Sequence, residues 1–196
     1  KKDLAKITVC DCVELSNTAT IFEQDGEFAV VSGDKVFKCD ENAVKDIFEN
    51  QNIEKYVYDY KNLYKRFGGI TNVKFDALLA GYLCNPAASS YDTDRLFAEY
   101  SAELTEKVGE ADETIKNACL FADVCQKLTA ELEKSGQWDL LNTIELPLAK
   151  VLGDMELRGF KADKEGLSRM SQELGGRTQK IQTEIYNLVG YEFNLN

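Results

Sequence analysis

The segment NACLFADVCQKL, residues 117–128, carries a single carboxylate, Asp123, among the apolar side chains of a helical pattern. A carboxylate in such surroundings can be a ligand of a divalent cation, a solvated helix residue, or a remnant beside a site whose chemistry has been lost. The segment alone leaves these three interpretations open. Elsewhere, Cys10 and Cys12 share one face of a predicted strand, but two thiolates without further ligands make a poor site for a soft metal.

Composition excludes several other chemistries. The chain of 196 residues contains no histidine, which rules out Ser-His-Asp and Cys-His catalysis and any histidine-based zinc site. Its formal net charge of −11 repels phosphate backbones, so strong nucleic-acid binding by this chain alone is not expected. Tyrosines recur between residues 56 and 64 and are able to stack on bases. In so acidic a chain we interpret them as packing residues.

The cysteines and the N-terminal sequence indicate where the protein is located and whether the chain is a fragment. The six cysteines form neither a CxxC pair nor the spacing of a secreted scaffold, which is typical of reduced thiols in a cytoplasmic protein. A signal peptide and an apolar run of membrane-spanning length are both missing, so no membrane partner is expected. The chain starts with Lys1 rather than Met, and we interpret it as a fragment of a longer polypeptide.

Short β-type segments fill the first forty residues, and strand and helix patterns then alternate up to residue 84. Asp25-Gly26 predicts a hairpin turn, and Asp40 predicts an N-cap for the first helix. The predicted strands are KITVCDCVE, NTATIFE, EFAVV, KVFKC, KYVY and VKF, and the predicted helices between them are ENAVKDIFENQ, DYKNLYKRF and DALLAGYLC.

Helical periodicity dominates the rest of the chain. We predict long helices over residues 112–134, 138–157 and 164–189, the last of them capped by Asp163 and ended by Gly190. The apolar face of the first comprises Ile115, Ala118, Cys119, Ala122, Cys125 and Leu128. A mixed sheet followed by long helices is typical of an α/β or α+β domain with a helical extension.

The C-terminal third carries the most specific motifs. NTIELPLAKVLGDMELRGFKAD, followed after a long helix by LVGYEFNLN, closely resembles the bacterial DNA polymerase I family (family A). Upstream, FDALLAGYLCNP resembles a helix of the same family, so the match covers roughly residues 55–196. The resemblance implies a ribonuclease H-like mixed sheet flanked by helices, with a C-terminal long-helix extension. It also implies boundaries: a 3′–5′ exonuclease-like domain over 1–136, then a linker helix and the truncated start of the polymerase thumb over 137–196.

The resemblance further implies where catalytic residues would lie. Active exonucleases of this family hold two divalent metals with four carboxylates in three motifs, the first of which is D-x-E on the opening strand. In KITVCDCVE that strand offers Asp11, but Val13 occupies the glutamate position. The second motif places Asp59 at a ligand position, with Lys55 where the family has asparagine.

The third motif, Y-x-x-x-D-A-D-V, departs further from the family pattern. It aligns Asn117 with the tyrosine and Phe121 with the ligand aspartate, and a phenyl ring cannot coordinate a hard cation. Asp123 is then the neighbour of the ligand, and we interpret it as an exposed helix residue. Asp11 and Asp59 are vestigial positions at most, and no catalytic residue, metal or other cofactor is expected in this fragment.

These correspondences predict a fragment of a bacterial DNA polymerase I that acts in DNA replication and repair in the cytoplasm. The exonuclease-like domain would be a proofreading-inactive structural platform for the polymerase domain of the same chain, which is a nucleotidyltransferase that requires Mg²⁺. DNA would be bound through the full-length protein, and only weakly by the fragment, with Arg169, Arg177 and Lys180 as candidates.

Two alternatives remain at the level of sequence. The first is an active metal-dependent 3′–5′ exonuclease with rearranged ligands such as Asp11, Glu14 and Asp59, whose carboxylates would have to converge in a cleft. The second is an interaction module with no nucleic-acid role, which the acidic charge permits.

Overall fold

A computed structural model describes Thr8–Val9, residues 15–101 and residues 112–195. The chain divides into two compact units, Lys1–Leu157 and Arg158–Asn196, which are described separately below. In the described residues, no helix is both long enough and apolar enough to span a membrane.

A mixed sheet forms the centre of the first unit. Among the described residues it has six strands in the order β1-β4-β3-β2-β5-β6. The strands are β1 Thr8–Val9, β2 Thr18–Gln24, β3 Glu27–Ser32, β4 Lys35–Cys39, β5 Glu54–Val57 and β6 Val73–Asp76. Strands β2, β3 and β4 form an antiparallel meander, whereas β1 runs parallel to β4, and β5 and β6 run parallel to β2.

The turn between β2 and β3 confirms the predicted hairpin. Asp25 and Gly26 both have positive φ, 53° and 83°, as a two-residue type I′ turn requires. This turn fixes the register that places Phe22 opposite Ala29.

The helices of the first unit cover both faces of the sheet. They are α1 Glu41–Glu49, α2 Tyr60–Phe67, α3 Ala77–Cys84, α4 Thr93–Tyr100, α5 Glu113–Ser135, α6 Trp138–Leu140 and α7 Leu146–Arg158. Asp40 caps α1 as predicted, because its Oδ1 accepts a hydrogen bond from the Ala43 amide at 2.8 Å. The predicted apolar face of α5 is buried, and helix α5 packs on β2 and β3.

One predicted helix is interrupted. The pattern predicts a single helix over 138–157, but a π-helical segment, Leu141–Glu145, lies between α6 and α7. Its Leu146 amide bonds to the Leu141 carbonyl, five residues back. Pro147 follows immediately, and because proline lacks an N–H and its ring clashes with the carbonyl four residues earlier, the preceding turn widens.

Helix α7 is fixed to α2 by a close steric and ionic contact. A Cβ added to Gly153 would lie 2.9 Å from Cδ1 of Tyr64, so only glycine admits the tyrosine ring at this distance. The Tyr64 hydroxyl donates to Asp154 at 2.7 Å. Lys61 and Lys65 both bind the Glu156 carboxylate, at 2.6 and 2.5 Å, and these hydrogen bonds lower the pKa of Glu156 to about 2.

The second unit consists mainly of α8, Lys164–Val189. Asp163 caps its N-terminus by accepting from the Gly166 amide at 2.9 Å, and Gly190, with φ 83°, ends it, both as predicted. Beyond the helix, the chain turns back so that the Tyr186 hydroxyl donates to the Phe193 carbonyl at 2.8 Å.

We expect Gly153→Ala to destabilise the first unit by ~1–2 kcal/mol, because displacing the Tyr64 ring outweighs the ~1 kcal/mol gained in helix propensity. Urea unfolding followed by tryptophan fluorescence measures this. The matched control is Gly175→Ala in α8, where nothing lies within 4 Å of the new Cβ. That variant should only raise helix content, and a Gly153→Ala protein more stable than wild type would show that the close contact is unimportant.

Candidate functional site

The strand beside β5 is β2, not the predicted opening strand. The described part of KITVCDCVE is β1, at the far edge of the sheet, with β4, β3 and β2 between it and β5. At ~4.8 Å per strand, β1 lies ~19 Å from β5. Asp11, Val13 and Glu14 fall outside the described residues, as do Cys10 and Cys12, so their assigned roles stay predictions.

Two residues at the end of β2 contact the third-motif positions on α5, where this sequence differs from the family pattern. Phe22 and Gln24 are two residues apart along the strand, so their side chains lie on the same face. The Phe22 ring packs on the Phe121 ring, with centroids 5.4 Å apart. The Gln24 side-chain oxygen accepts a hydrogen bond from the side-chain Nδ2 of Asn117 at 2.7 Å. Both positions predicted to have lost their function thus make core or polar contacts with the central strand.

This aromatic contact is fully buried. Phe121 has no exposed surface and Phe22 is 4% exposed, and the Phe97 ring of α4 lies 5.8 Å from Phe22. Sequence analysis missed Phe22 and Gln24, although they lie in the predicted strand NTATIFE just before the hairpin turn. The missing information was strand order, which local patterns do not contain.

Asp59 lies where β5 ends, at the N-terminus of α2. It has a left-handed backbone conformation, with φ 56° and ψ 60°, and caps the helix by accepting from the Asn62 amide at 3.3 Å. The Asn62 side chain also donates to Oδ2 of Asp59, at 2.5 Å. The hydrogen bonds of the Asp59 carboxylate to Asn62 are therefore local to the first turn of α2.

Asp76, which sequence analysis did not select, is the buried carboxylate of this region. It is 2% exposed, at the end of β6. Oδ1 accepts from the backbone amides of Asp59 and Leu78 at 3.0 and 2.9 Å, and Oδ2 accepts from the Tyr60 amide at 2.8 Å. Burial raises the pKa of Asp76 to about 6, against the opposing effect of these three donors. Asp76 thus positions the turn that carries Asp59. The sequence feature that could have identified Asp76 is a carboxylate directly after the apolar Phe75 at the end of a predicted strand.

Lys55, at the predicted asparagine position, is a structural residue. Its side chain is fully buried, and its ammonium group donates to the carbonyl oxygens of Asn50 and Thr71, the latter at 2.7 Å. Burial lowers the pKa of Lys55 to about 8. The amine joins the loop after α1 to the loop before β6.

Asp123 requires a correction. It was expected to be an exposed helix residue, but its side chain is 19% exposed and forms an ion pair with Lys127 at 3.2 Å. The partner lies one turn further along the same helix, where an i,i+4 pair forms readily. Its position supports a helix-stabilising role.

A cavity of about 340 Å³ opens beside these residues, between β2 and α2. It is lined by Ile21, Phe22, Glu23, Asp25, Phe28, Tyr58, Asp59, Asn62, Leu63 and Arg66. The guanidinium of Arg66 is bound to Glu23 at 2.6 Å and to Glu41 at 2.9 Å, and it lies 4.9 Å from the centre of the Phe67 ring. The positive charge at the cavity is therefore already paired with protein carboxylates.

The tyrosines between residues 56 and 64 make internal contacts. Tyr56 stacks on Phe75 with ring centroids 5.6 Å apart, and the Tyr58 hydroxyl donates to the Tyr91 carbonyl at 3.1 Å. Burial raises the pKa of Tyr58 to about 12. Tyr60 is buried as well, in agreement with the predicted packing role.

Among the described residues, the available donors do not fit two divalent cations. Hard cations need several carboxylate or carbonyl oxygens, and the described third-motif positions offer an amide and a phenyl ring. Within residues 15–101 and 112–195, no group of three His, Cys, Asp or Glu side chains is arranged to hold a metal ion.

A meander of three antiparallel strands, extended by parallel strands and covered by helices on both faces, defines a ribonuclease H-like α/β domain. Residues 16–115, about half of the chain, match the family model described as DNA polymerase I, ribonuclease H-like domain. The chain belongs to the DNA polymerase I family.

Curated relatives agree with this assignment. The DNA polymerase I of Bacillus subtilis is 30% identical over 176 residues, which cover 78% of this chain and 20% of the relative. That of Streptococcus pneumoniae (strain R6) is 31% identical over 194 residues, covering 86% of this chain and 22% of the relative. The chain therefore spans about a fifth of the length of these relatives.

Solved structures share the fold. The polymerase domain of Pol1 from M. smegmatis, in complex with a DNA primer-template and dNTP, aligns with a TM-score of 0.69 and 23% identity, covering 91% of this chain and 35% of that one. Brucella melitensis NrnC bound to pGG aligns with a TM-score of 0.50 and 12% identity, covering 81% of this chain and 95% of that one.

Restoring the family's aspartate should damage the fold. We expect Phe121→Asp to destabilise the first unit by at least ~4 kcal/mol, because it removes a buried ring and buries a carboxylate against Phe22. Urea unfolding measures the change. The control Gln126→Asp, at an exposed site of the same helix, should shift stability by less than ~0.5 kcal/mol. A Phe121→Asp protein of wild-type stability would show that the site is not part of the core.

Asp76 should give the fold a specific pH dependence. Its pKa is about 6 in the folded state against 3.8 when unperturbed, so its contribution to stability is full below pH 3.8 and decreases as the pH rises to about 6. Asp76→Asn removes this titration. The stability of wild type relative to the variant should therefore fall by up to ~3 kcal/mol between pH 4 and pH 7. Urea unfolding at several pH values measures it, and parallel curves would contradict the raised pKa.

Proposed function

We propose that this chain is part of a bacterial DNA polymerase I that acts in DNA replication and repair in the cytoplasm. We further propose that its ribonuclease H-like domain is a structural platform without 3′–5′ exonuclease activity. Nucleotide transfer, and the Mg²⁺ that it requires, would belong to the polymerase domain of the longer protein.

The observation that carries the inactive assignment is the buried contact between Phe22 and Phe121. In a two-metal nuclease, this junction of the central strand β2 and helix α5 would have to bring carboxylates together around the cations. Here it is filled by two rings and, one turn away, by the amide pair of Gln24 and Asn117. Asp59 is left without a described carboxylate group able to complete a metal site.

The contact between α2 and α7 supports the platform role. Helix α7 is the last helix of the first unit, and it packs against α2. The close approach of Gly153 to Tyr64 restricts rotation of α7 about its own axis. The ion pairs from Lys61 and Lys65 to Glu156 restrict movement of α7 along α2. A helix held in this way suits a structural role and needs no catalytic chemistry of its own.

Binding of DNA would belong mainly to the full-length protein. The net charge of −11 opposes binding to a polyanion, and the cavity guanidinium of Arg66 is already paired. Arg169, Arg177 and Lys180 on α8 remain the candidate phosphate contacts within this chain, and each would add a small, salt-dependent contribution.

A nuclease assay tests the proposed inactivity. The purified chain should not shorten 5′-labelled single-stranded DNA in Mg²⁺ or Mn²⁺ beyond the rate seen with EDTA, because its described residues do not form a two-metal carboxylate site. Denaturing gel electrophoresis resolves the products.

The control variant is Asp59→Ala, which removes the described carboxylate at a family ligand position. Metal-dependent shortening that disappears in Asp59→Ala would refute the proposal and establish an active exonuclease. Shortening that persists in Asp59→Ala identifies a contaminating nuclease, and the assay is then repeated on protein purified free of it.

A further inference from the structure

The π-helical turn Leu141–Glu145 shifts the buried face of its helix by one residue. Leu141, at the start of the turn, is fully buried. In an α-helix one face recurs every three or four residues, but the next buried residue, Leu146, follows after five. Beyond the turn the ordinary spacing resumes, and the buried residues of α7 are Leu146, Ala149 and Gly153. The turn therefore contains one residue more than an α-helix with the same buried face would need.

An uninterrupted α-helix would present a different face of α7 to the first unit. Each residue turns an α-helix by ~100°, so every buried place would be taken by the residue one position earlier. The three residues brought inwards would be Glu145, Leu148 and Leu152. Leu152 would stand in the place of Gly153, where even a Cβ lies 2.9 Å from Cδ1 of Tyr64. Glu145 would stand in the place of Leu146, and burying an unpaired carboxylate there is unfavourable.

The ion pairs between α7 and α2 depend on the same face. Glu156 follows Gly153 by three residues and binds Lys61 and Lys65 at 2.6 and 2.5 Å. In an uninterrupted helix Met155 would take the place of Glu156, and both lysines would lose this carboxylate. Burial of Leu141 before the turn and the contacts of Gly153 and Glu156 after it are therefore compatible only when the extra residue is present.

Side chains of the π-helical turn bond to the helix before it. Nδ2 of Asn142 donates to the Trp138 carbonyl at 3.1 Å, and the Thr143 hydroxyl donates to the Asp139 carbonyl at 2.6 Å. Bonds from a side chain to the carbonyl four residues back accompany distorted helical turns. Pro147, which has no N–H to donate, follows directly and favours the widened turn locally.

We propose that the π-helical turn is a one-residue register device that selects which face of α7 meets α2. It turns α7 by ~100° relative to an uninterrupted helix, so that Gly153 meets Tyr64 and Glu156 meets the two lysines. The contacts on both sides of the turn, and not Pro147 alone, require the extra residue. This register is a property of packing within the first unit, whether or not the domain cleaves DNA.

Deleting one residue from the turn tests the proposal. The deletion is made in a Pro147→Ala parent, because a proline inside an uninterrupted α-helix would clash with the carbonyl four residues earlier. Removing the exposed Thr143 should convert the turn to α-helix and leave the face of α7 unchanged. The urea midpoint should stay within ~0.3 M of the parent. An NMR cross-peak (NOE) between the α-protons of Gly153 and the ring protons of Tyr64 should persist.

The matched control removes Gln126, an exposed residue of the uninterrupted helix α5, in the same parent. This deletion turns the rest of α5 by ~100° and moves Leu128 and Leu132 away from the core, so the urea midpoint should fall by at least ~1 M. The proposal is overturned if deleting Thr143 abolishes the NOE or is as damaging as deleting Gln126. It is also overturned if deleting Gln126 is as mild as deleting Thr143.

The parent variant separates the register from the effect of proline. In Pro147→Ala the NOE between Gly153 and Tyr64 should remain, because the contacts on both sides of the turn still require the extra residue. Loss of this NOE in the parent would overturn the proposal in favour of a turn imposed by proline alone.

Discussion

The packing of Phe121 on Phe22 is the contact on which the arrangement of this domain depends. It joins α5 to the central strand β2 just beyond the part of β2 that pairs with β5, and Phe22 lines the same cavity as Asp59, the cap of α2. A pair of buried rings contributes favourable burial and edge contacts, whereas carboxylates in the same place would repel each other unless cations were bound. This ring pair therefore stabilises the junction of β2 and α5 without any bound cation.

Two buried polar groups near this contact also make structural hydrogen bonds. Asp76 is a buried carboxylate with a raised pKa, a property that often marks a catalytic acid. Its oxygens, however, accept hydrogen bonds from three backbone amides and so hold the turn that contains Asp59. Lys55 is a buried amine with a lowered pKa, and it donates hydrogen bonds to carbonyl oxygens of two loops. In both cases the perturbed pKa follows from burial of a structural hydrogen-bonding group.

Local patterns predicted much of the fold. Asp40 and Asp163 cap the helices assigned to them, Asp25-Gly26 makes the hairpin, and the apolar face of α5 is buried. Strand order was beyond such patterns, because pairing depends on contacts distant in sequence. The D-x-E motif was assigned to KITVCDCVE, whose described part is β1 at the edge of the sheet, and this assignment stays a prediction. The burial of Lys55 and Asp76 was missed for the same reason, since their partners lie in other loops. The widening before Pro147 was predictable from the chemistry of proline.

The central claim is that core packing and local capping have replaced a metal site. The most direct measurement is a crystal structure of the chain soaked in Mn²⁺, with an anomalous difference map calculated at the manganese edge. The claim predicts no anomalous peak within coordination distance, ~2–2.5 Å, of the Asp59 carboxylate, whose oxygens remain bonded to Asn62. A Mn²⁺ ion bound to Asp59 together with a second carboxylate would contradict it.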